Sequence, residues 1–174
     1  MGGNEAISSP EVKPQMQEEP HVVEDIQHSM SPQGVSIQFI RHFVDSHKSS
    51  HEFSTFTTTD ACKNIVLVET KERQCAYIDL FIGKTEQTED WPYIAPATVF
   101  VSHAWKYNIV EVIDAMEQYE VLHPNSYFWF DLFINNQNNT ASVPQEWWST
   151  TFRTSIKTIG SVLLILSPWD DQYH

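Results

Sequence analysis

Apolar residues along this chain are gathered into short runs whose spacing changes from one run to the next. Residues 1–30 contain almost no apolar clustering and carry acidic and proline residues instead, which predicts a disordered acidic tail. Order is expected from SPQGVSIQFIRHFVDSH, where Val35, Phe39, Ile40, Phe43 and Val44 fit one helix face and Ser31–Pro32 offers a start. The next apolar runs, residues 65–68 and 76–82, flank the charged group ETKER and predict a β-hairpin. KTEQTEDWPYIAP reads as a connecting loop restricted by Pro92 and Pro96.

From residue 97 the pattern sharpens. TVFVS predicts a strand, and Ile109, Val112, Ile113 and Met116 then recur as one apolar helix face. SYFWFDLFI predicts a second strand, followed by the polar loop NNQNNTASVP. Trp148, Phe152, Ile156 and Ile159 share a further helix face, which Gly160 can end. SVLLILS is nearly continuous in apolar residues, as in a strand covered on both faces. The resulting β-α-β-α-β order predicts an α/β fold with an open parallel sheet. Three segments are expected: the tail 1–30, an N-terminal helix and strand-rich segment 31–90, and the α/β part 97–174.

Composition narrows the function classes. With 174 residues, 41% hydrophobic and 13% aromatic, the chain has enough apolar material for one domain. Ten basic against 23 acidic side chains give a formal charge of -13, which disfavours nucleic acid and anionic membrane as partners. Cys62 and Cys75, with no secretory signal before them, read as reduced thiols. No apolar run is long enough to span a bilayer, and a cytoplasmic location is the expectation. The histidines of the first third match no zinc spacing, and no glycine-rich phosphate fingerprint is present.

Candidate chemistry lies at the strand ends. In an open parallel sheet, ligands meet the crevice outside the carboxyl ends of the strands. Ser102 and His103 follow the first strand, Asp131 ends the second and Ser167 follows the third, with Trp105 and Trp169 placed to line the same rim. His103 is a candidate base or ligand donor, although a histidine so placed is more often a strand-end residue satisfied by neighbouring backbone. Asp131 is a candidate anchor for a ligand hydroxyl or a loop-fixing carboxylate. No Ser-His-Asp arrangement emerges.

ATVFVSHAW, YFWFDLFINNQNN and SVLLILSPWDD, in that order, resemble three successive boxes of Toll/interleukin-1 receptor (TIR) domains, the SHAW form being that of microbial and algal members. The resemblance spans about residues 97–171. It implies a flavodoxin-like fold and either of two functions, homotypic signalling assembly or cleavage of NAD as substrate. It also implies a self-association loop formed by Leu132, Phe133, Ile134, Asn135, Asn136, Gln137, Asn138 and Asn139. The family's catalytic glutamate sits on a later helix, and the sequence stops at SPWDDQYH before it. The resemblance thus implies a truncated domain with no catalytic residue of its own, and favours a protein-binding module over an NAD-cleaving enzyme or an inactive fragment.

Overall fold

The computed structural model describes Gly2 and residues 32–82, 93–142 and 145–166. The expected tail, 1–30, and the exit segment containing Ser167 and Trp169 lie outside the described residues, as do the side chains of Trp147 and Trp148. The described residues from Pro32 onward cluster as one unit.

Folding begins with a three-residue strand, β1 (Gln33–Val35), rather than with a helix at Ser31. Ser36 then caps α1 (Ile37–His47), its hydroxyl accepting from the Phe39 N–H at 3.3 Å. This side-chain oxygen satisfies one of the orphan donors of the first helical turn. Ile37, Phe39, Ile40 and Phe43 face the core from this helix.

The hairpin expected from residues 65–68 and 76–82 is replaced by helical turns. Thr57 and Asp60 form a capping box: the Thr57 N–H donates to Asp60 Oδ2 at 3.0 Å and the Asp60 N–H to Thr57 Oγ1 at 3.1 Å. It starts α2 (Thr58–Ala61), which continues as a π-helical turn over Cys62–Val66 and then as α3 (Leu67–Thr70). Ala61, Cys62, Ile65 and Val66 are buried at helical spacing, so the apolar run serves a helix face. The second run folds into a 3-10 turn, Tyr77–Leu80, whose Asp79 carboxylate accepts from the Ala76 N–H at 3.0 Å.

The remaining described elements are β2 (Ile94–Pro96), β3 (Val99–Ser102), α4 (Ile109–Leu122), β4 (Phe128–Trp129), α5 (Asp131–Ile134), a 3-10 turn (Gln137–Ser142), α6 (Gln145–Ile159) and β5 (Val162–Leu164). The five strands form one sheet in the order β2-β1-β4-β3-β5. β3 runs parallel to β4 and to β5, with Phe100 opposite Trp129 and Val162. β1, however, is antiparallel to both β2 and β4. The sheet is therefore mixed, which overturns the expected open parallel, flavodoxin-like arrangement. The cause lies in the first segment: β1 docks its Val35 against Phe128 of β4, and β2 then folds back along β1. Gly34 allows this approach, since a Cβ there would stand 2.9 Å from the backbone carbon and oxygen of Tyr127.

One core lies between the sheet and the helices of its first half. Phe39, Phe43, Tyr77 and Phe133 meet there, with the Phe43 and Phe133 rings edge-on at 4.9 Å and the Phe39 and Phe133 rings at 5.4 Å. Ile109, Val112, Ile113 and Met116 of α4 are all buried. Over β3 and β4, Phe152 of α6 sets its ring edge against the stacked Phe100 and Trp129. That cover stops short of β5, where Val162, Leu164 and Leu166 are 47, 60 and 61% exposed. The two-sided burial expected for SVLLILS is thus not what this strand has.

Candidate functional site

β3 and β4 are parallel neighbours, so the residues that leave their carboxyl ends emerge side by side. From β3 come Ser102, His103 and Trp105; from β4, through Phe130, comes Asp131 as the first residue of α5. The Trp105 loop is held from the opposite side by α2. The Trp105 carbonyl accepts from both the Thr59 N–H at 3.0 Å and the Thr59 hydroxyl at 3.1 Å, and the Tyr107 carbonyl accepts from the Thr58 N–H at 3.1 Å. So fixed, the Trp105 indole N–H donates to Asp131 Oδ2 at 2.7 Å.

Two clefts of about 440 Å³ each open on this pair, and Trp105, Asp131 and Phe152 line both. The first extends toward Thr59, Cys62 and Lys63 of the helical turns and toward Asn135 and Gln137. The second runs along the sheet end past Ser102, His103, Phe100, Trp129 and Ile156.

The electrostatics of the site follow from burial. Asp131 Oδ1 and His103 Nε2 are withdrawn from solvent and have no hydrogen-bond partner among the described residues. Burial pushes the Asp131 carboxyl up to about 6, against the opposing pull of the Trp105 indole N–H and the Leu132 backbone N–H. Burial also lowers His103 to about 4, leaving a neutral imidazole at pH 7. The Cys62 thiol is raised to about 11 by burial and then by the Asp131 charge, so it is protonated and a poor nucleophile at neutral pH. Among the described residues no group of three or more His, Cys, Asp and Glu side chains is placed to hold a metal ion.

The structure thus brings together Ser102, His103, Trp105 and Asp131, four of the six rim residues singled out in the sequence; Ser167 and Trp169 lie outside the described residues. Of the expected loop, Leu132 and Phe133 are buried core residues of α5, and Ile134 packs partly against the same core. The amides that follow are turned inward. Gln137 donates to the Asp131 carbonyl at 2.7 Å, Asn136 to the Gln74 carbonyl at 2.6 Å, and Asn138 to Thr70 Oγ1 at 3.0 Å. Asn139 is exposed. Sequence reasoning missed Cys62, Lys63 and Phe152 as cleft residues, because the first two lie on a π turn that no local pattern announces.

Among the described residues no helix is long and apolar enough to cross a membrane. No family model matches the chain, and neither a curated protein nor a solved structure is significantly similar to it. Together with the antiparallel placement of β1 and β2, this removes the TIR assignment. The first two boxes correspond instead to a buried strand leaving the sheet through a polar residue, Ser102 after β3 and Asp131 after β4.

Proposed function

We propose that this chain is a ligand-binding domain that receives a small organic molecule in the double cleft at the carboxyl ends of β3 and β4. The observation that carries this reading is that two residues lining one aromatic cleft, Asp131 and His103, each hold a buried polar atom, Oδ1 and Nε2, with no partner among the described residues. A buried polar group without a partner costs about 1–3 kcal/mol, which a fold tolerates where a ligand supplies the missing bond. The Trp105 indole N–H, bonded to Asp131, is a built-in reporter. Its proton resonance, assigned with Trp105→Phe, is followed while benzyl alcohol, benzylammonium and benzoate are titrated in turn. A saturable shift with any of the three supports the reading, and silence with all three overturns it.

A second reading, self-association, is favoured by the uncovered apolar row on β5. Val162 and Leu164 of the edge strand and Leu166 just beyond it alternate in sequence and are exposed, as is Ile156 on α6 at 37%. A two-fold copy pairing β5 with β5 would continue the sheet and bring the two apolar rows against each other, because an isologous contact matches a patch with itself. The amides of residues 136–138 are engaged internally, so this edge suits the role better than the loop after Asp131. Sedimentation across a concentration series tests it: a dimer that Leu164→Lys dissolves supports the reading, and a monomer throughout rejects it.

A further inference from the structure

We infer that the ligand of the second cleft is an organic cation, an alkylammonium group seated against Asp131 between aromatic faces. The inference rests on the ligand-binding reading above and gives it a substrate class. Among the residues that line this cleft, Asp131 is the only carboxylate and no lysine or arginine is present. Its donors, the Trp105 indole N–H and the Leu132 backbone N–H, are both neutral, so its formal charge has no cationic partner, and Oδ1 has no hydrogen-bond partner among the described residues. The walls are the rings of Trp105, Trp129, Phe100 and Phe152. Aromatic faces carry negative electrostatic potential and attract a cation, most strongly where water is excluded.

The alternatives are weaker on the same geometry. An anion would meet the Asp131 carboxylate with no basic side chain in this cleft to offset it. A neutral molecule would satisfy Oδ1 and leave the charge uncompensated. Lys63 lines the first cleft and is absent from the second, which assigns the cation to the sheet side of Asp131. His103 on the same wall can accept the second N–H of a primary ammonium through Nε2 when its proton sits on Nδ1. The formal charge of -13 on the whole chain favours approach of a cation over an anion.

The test compares benzylammonium with its neutral isostere, benzyl alcohol, by titration calorimetry at pH 7.5, with the Trp105 indole resonance reporting the site. Benzylammonium is expected to bind about tenfold tighter or more, a difference of about 1.4 kcal/mol, and Asp131→Asn to abolish the difference. Ser102→Lys, which places a cation in the cleft from the half-buried end of β3, is a second variant that keeps the carboxylate; it too is expected to erase the preference. The preference should also fade as pH falls through about 6, where Asp131 protonates. The other titratable groups facing it are His103 after β3 and Cys62 and Lys63 on the π turn, and neither His103 nor Cys62 changes charge between pH 6 and 7.5. Equal or tighter binding of benzyl alcohol or benzoate, reported by Trp105, would overturn the cation and leave the cleft standing. No response to any of the three overturns both. Nα-acetyl-lysine methylamide in a parallel titration separates the sources: tighter binding than benzylammonium supports a lysine side chain as the cation, and weaker binding supports a free amine.

Discussion

Trp105 and Asp131 leave neighbouring parallel strands and meet at 2.7 Å, indole Nε1 to carboxylate Oδ2, so that one hydrogen bond joins the exits of β3 and β4. Trp105→Phe keeps the ring and removes only the donor. Above pH 6 it is expected to destabilise the fold by about 1–3 kcal/mol, because a buried charge loses its bond to a side chain. It should also raise the Asp131 pKa further above its usual range, since the indole N–H favours the ionised form. Carboxyl carbon shifts followed against pH, with urea unfolding at pH 5 and pH 7.5, check both.

Asp131 and His103 give opposite pH dependences to the same site. Asp131 is harder to ionise folded than unfolded, so its contribution is fullest below 3.8 and is lost as pH rises through about 6. His103 is harder to protonate folded than unfolded; its contribution is present above 6.5 and is lost as pH falls through about 4. Each amounts to about 2–3 kcal/mol, and between pH 4 and 6 they offset one another. Asp131→Asn is therefore expected to gain stability over the parent as pH rises from 4 to 7, and His103→Gln to gain as pH falls over the same range. Melting temperatures across that range decide: parallel profiles for variant and parent would rule the linkage out.

Asn138 ties the segment after α5 to the end of α3. Its amide donates to Thr70 Oγ1, and that hydroxyl in turn donates to the Val66 carbonyl at 2.7 Å. Asn138→Ala should cost about 1–2 kcal/mol, and Thr70→Val a similar amount. In a double-mutant cycle the two losses should be less than additive, because the groups share one chain of bonds. Additive losses would mean that the staple does not couple the two segments.

Gly34 is held against backbone, which cannot yield as a side chain can. A methyl group there would press on the Tyr127 carbonyl at 2.9 Å and on Ala97 Cα at 3.0 Å. Gly34→Ala is expected to cost on the order of 3 kcal/mol or more by forcing β1 away from its neighbours. Denaturant titration is the direct measure, and a loss below about 1 kcal/mol would show that β1 shifts at little cost.

Several features were legible in the sequence for definite physical reasons. The spacing of Ile109, Val112, Ile113 and Met116 specifies α4, and all four are buried. The convergence of Ser102, His103, Trp105 and Asp131 follows from two apolar runs becoming parallel strands whose ends must lie together. Residues 65–68 and 76–82 misled because a short apolar run suits a buried helix turn as well as a strand. The Thr57–Asp60 capping box, which selects the helix, lies upstream of the run it governs. β1 was invisible, since Gln33–Val35 carries no strand signature and owes its conformation to distant backbone partners. The continuous apolar character of SVLLILS suggested two covered faces, whereas Phe152 of α6 packs on β3 and β4 and Val162, Leu164 and Leu166 stay exposed.

The central position of β1 governs the order in which the sheet can be assembled. β1 is the first strand along the chain, yet it sits between β2 and β4, pairing Gln33 with Pro96 and Val35 with Phe128. On a ribosome, α1 and its aromatic face would emerge long before those partners exist, and contacts this far apart in sequence form slowly. Until Phe128 is made, Phe39 and Phe43 have no finished sheet to close against. The sheet therefore cannot close around β1 until β4 is available to pair with it.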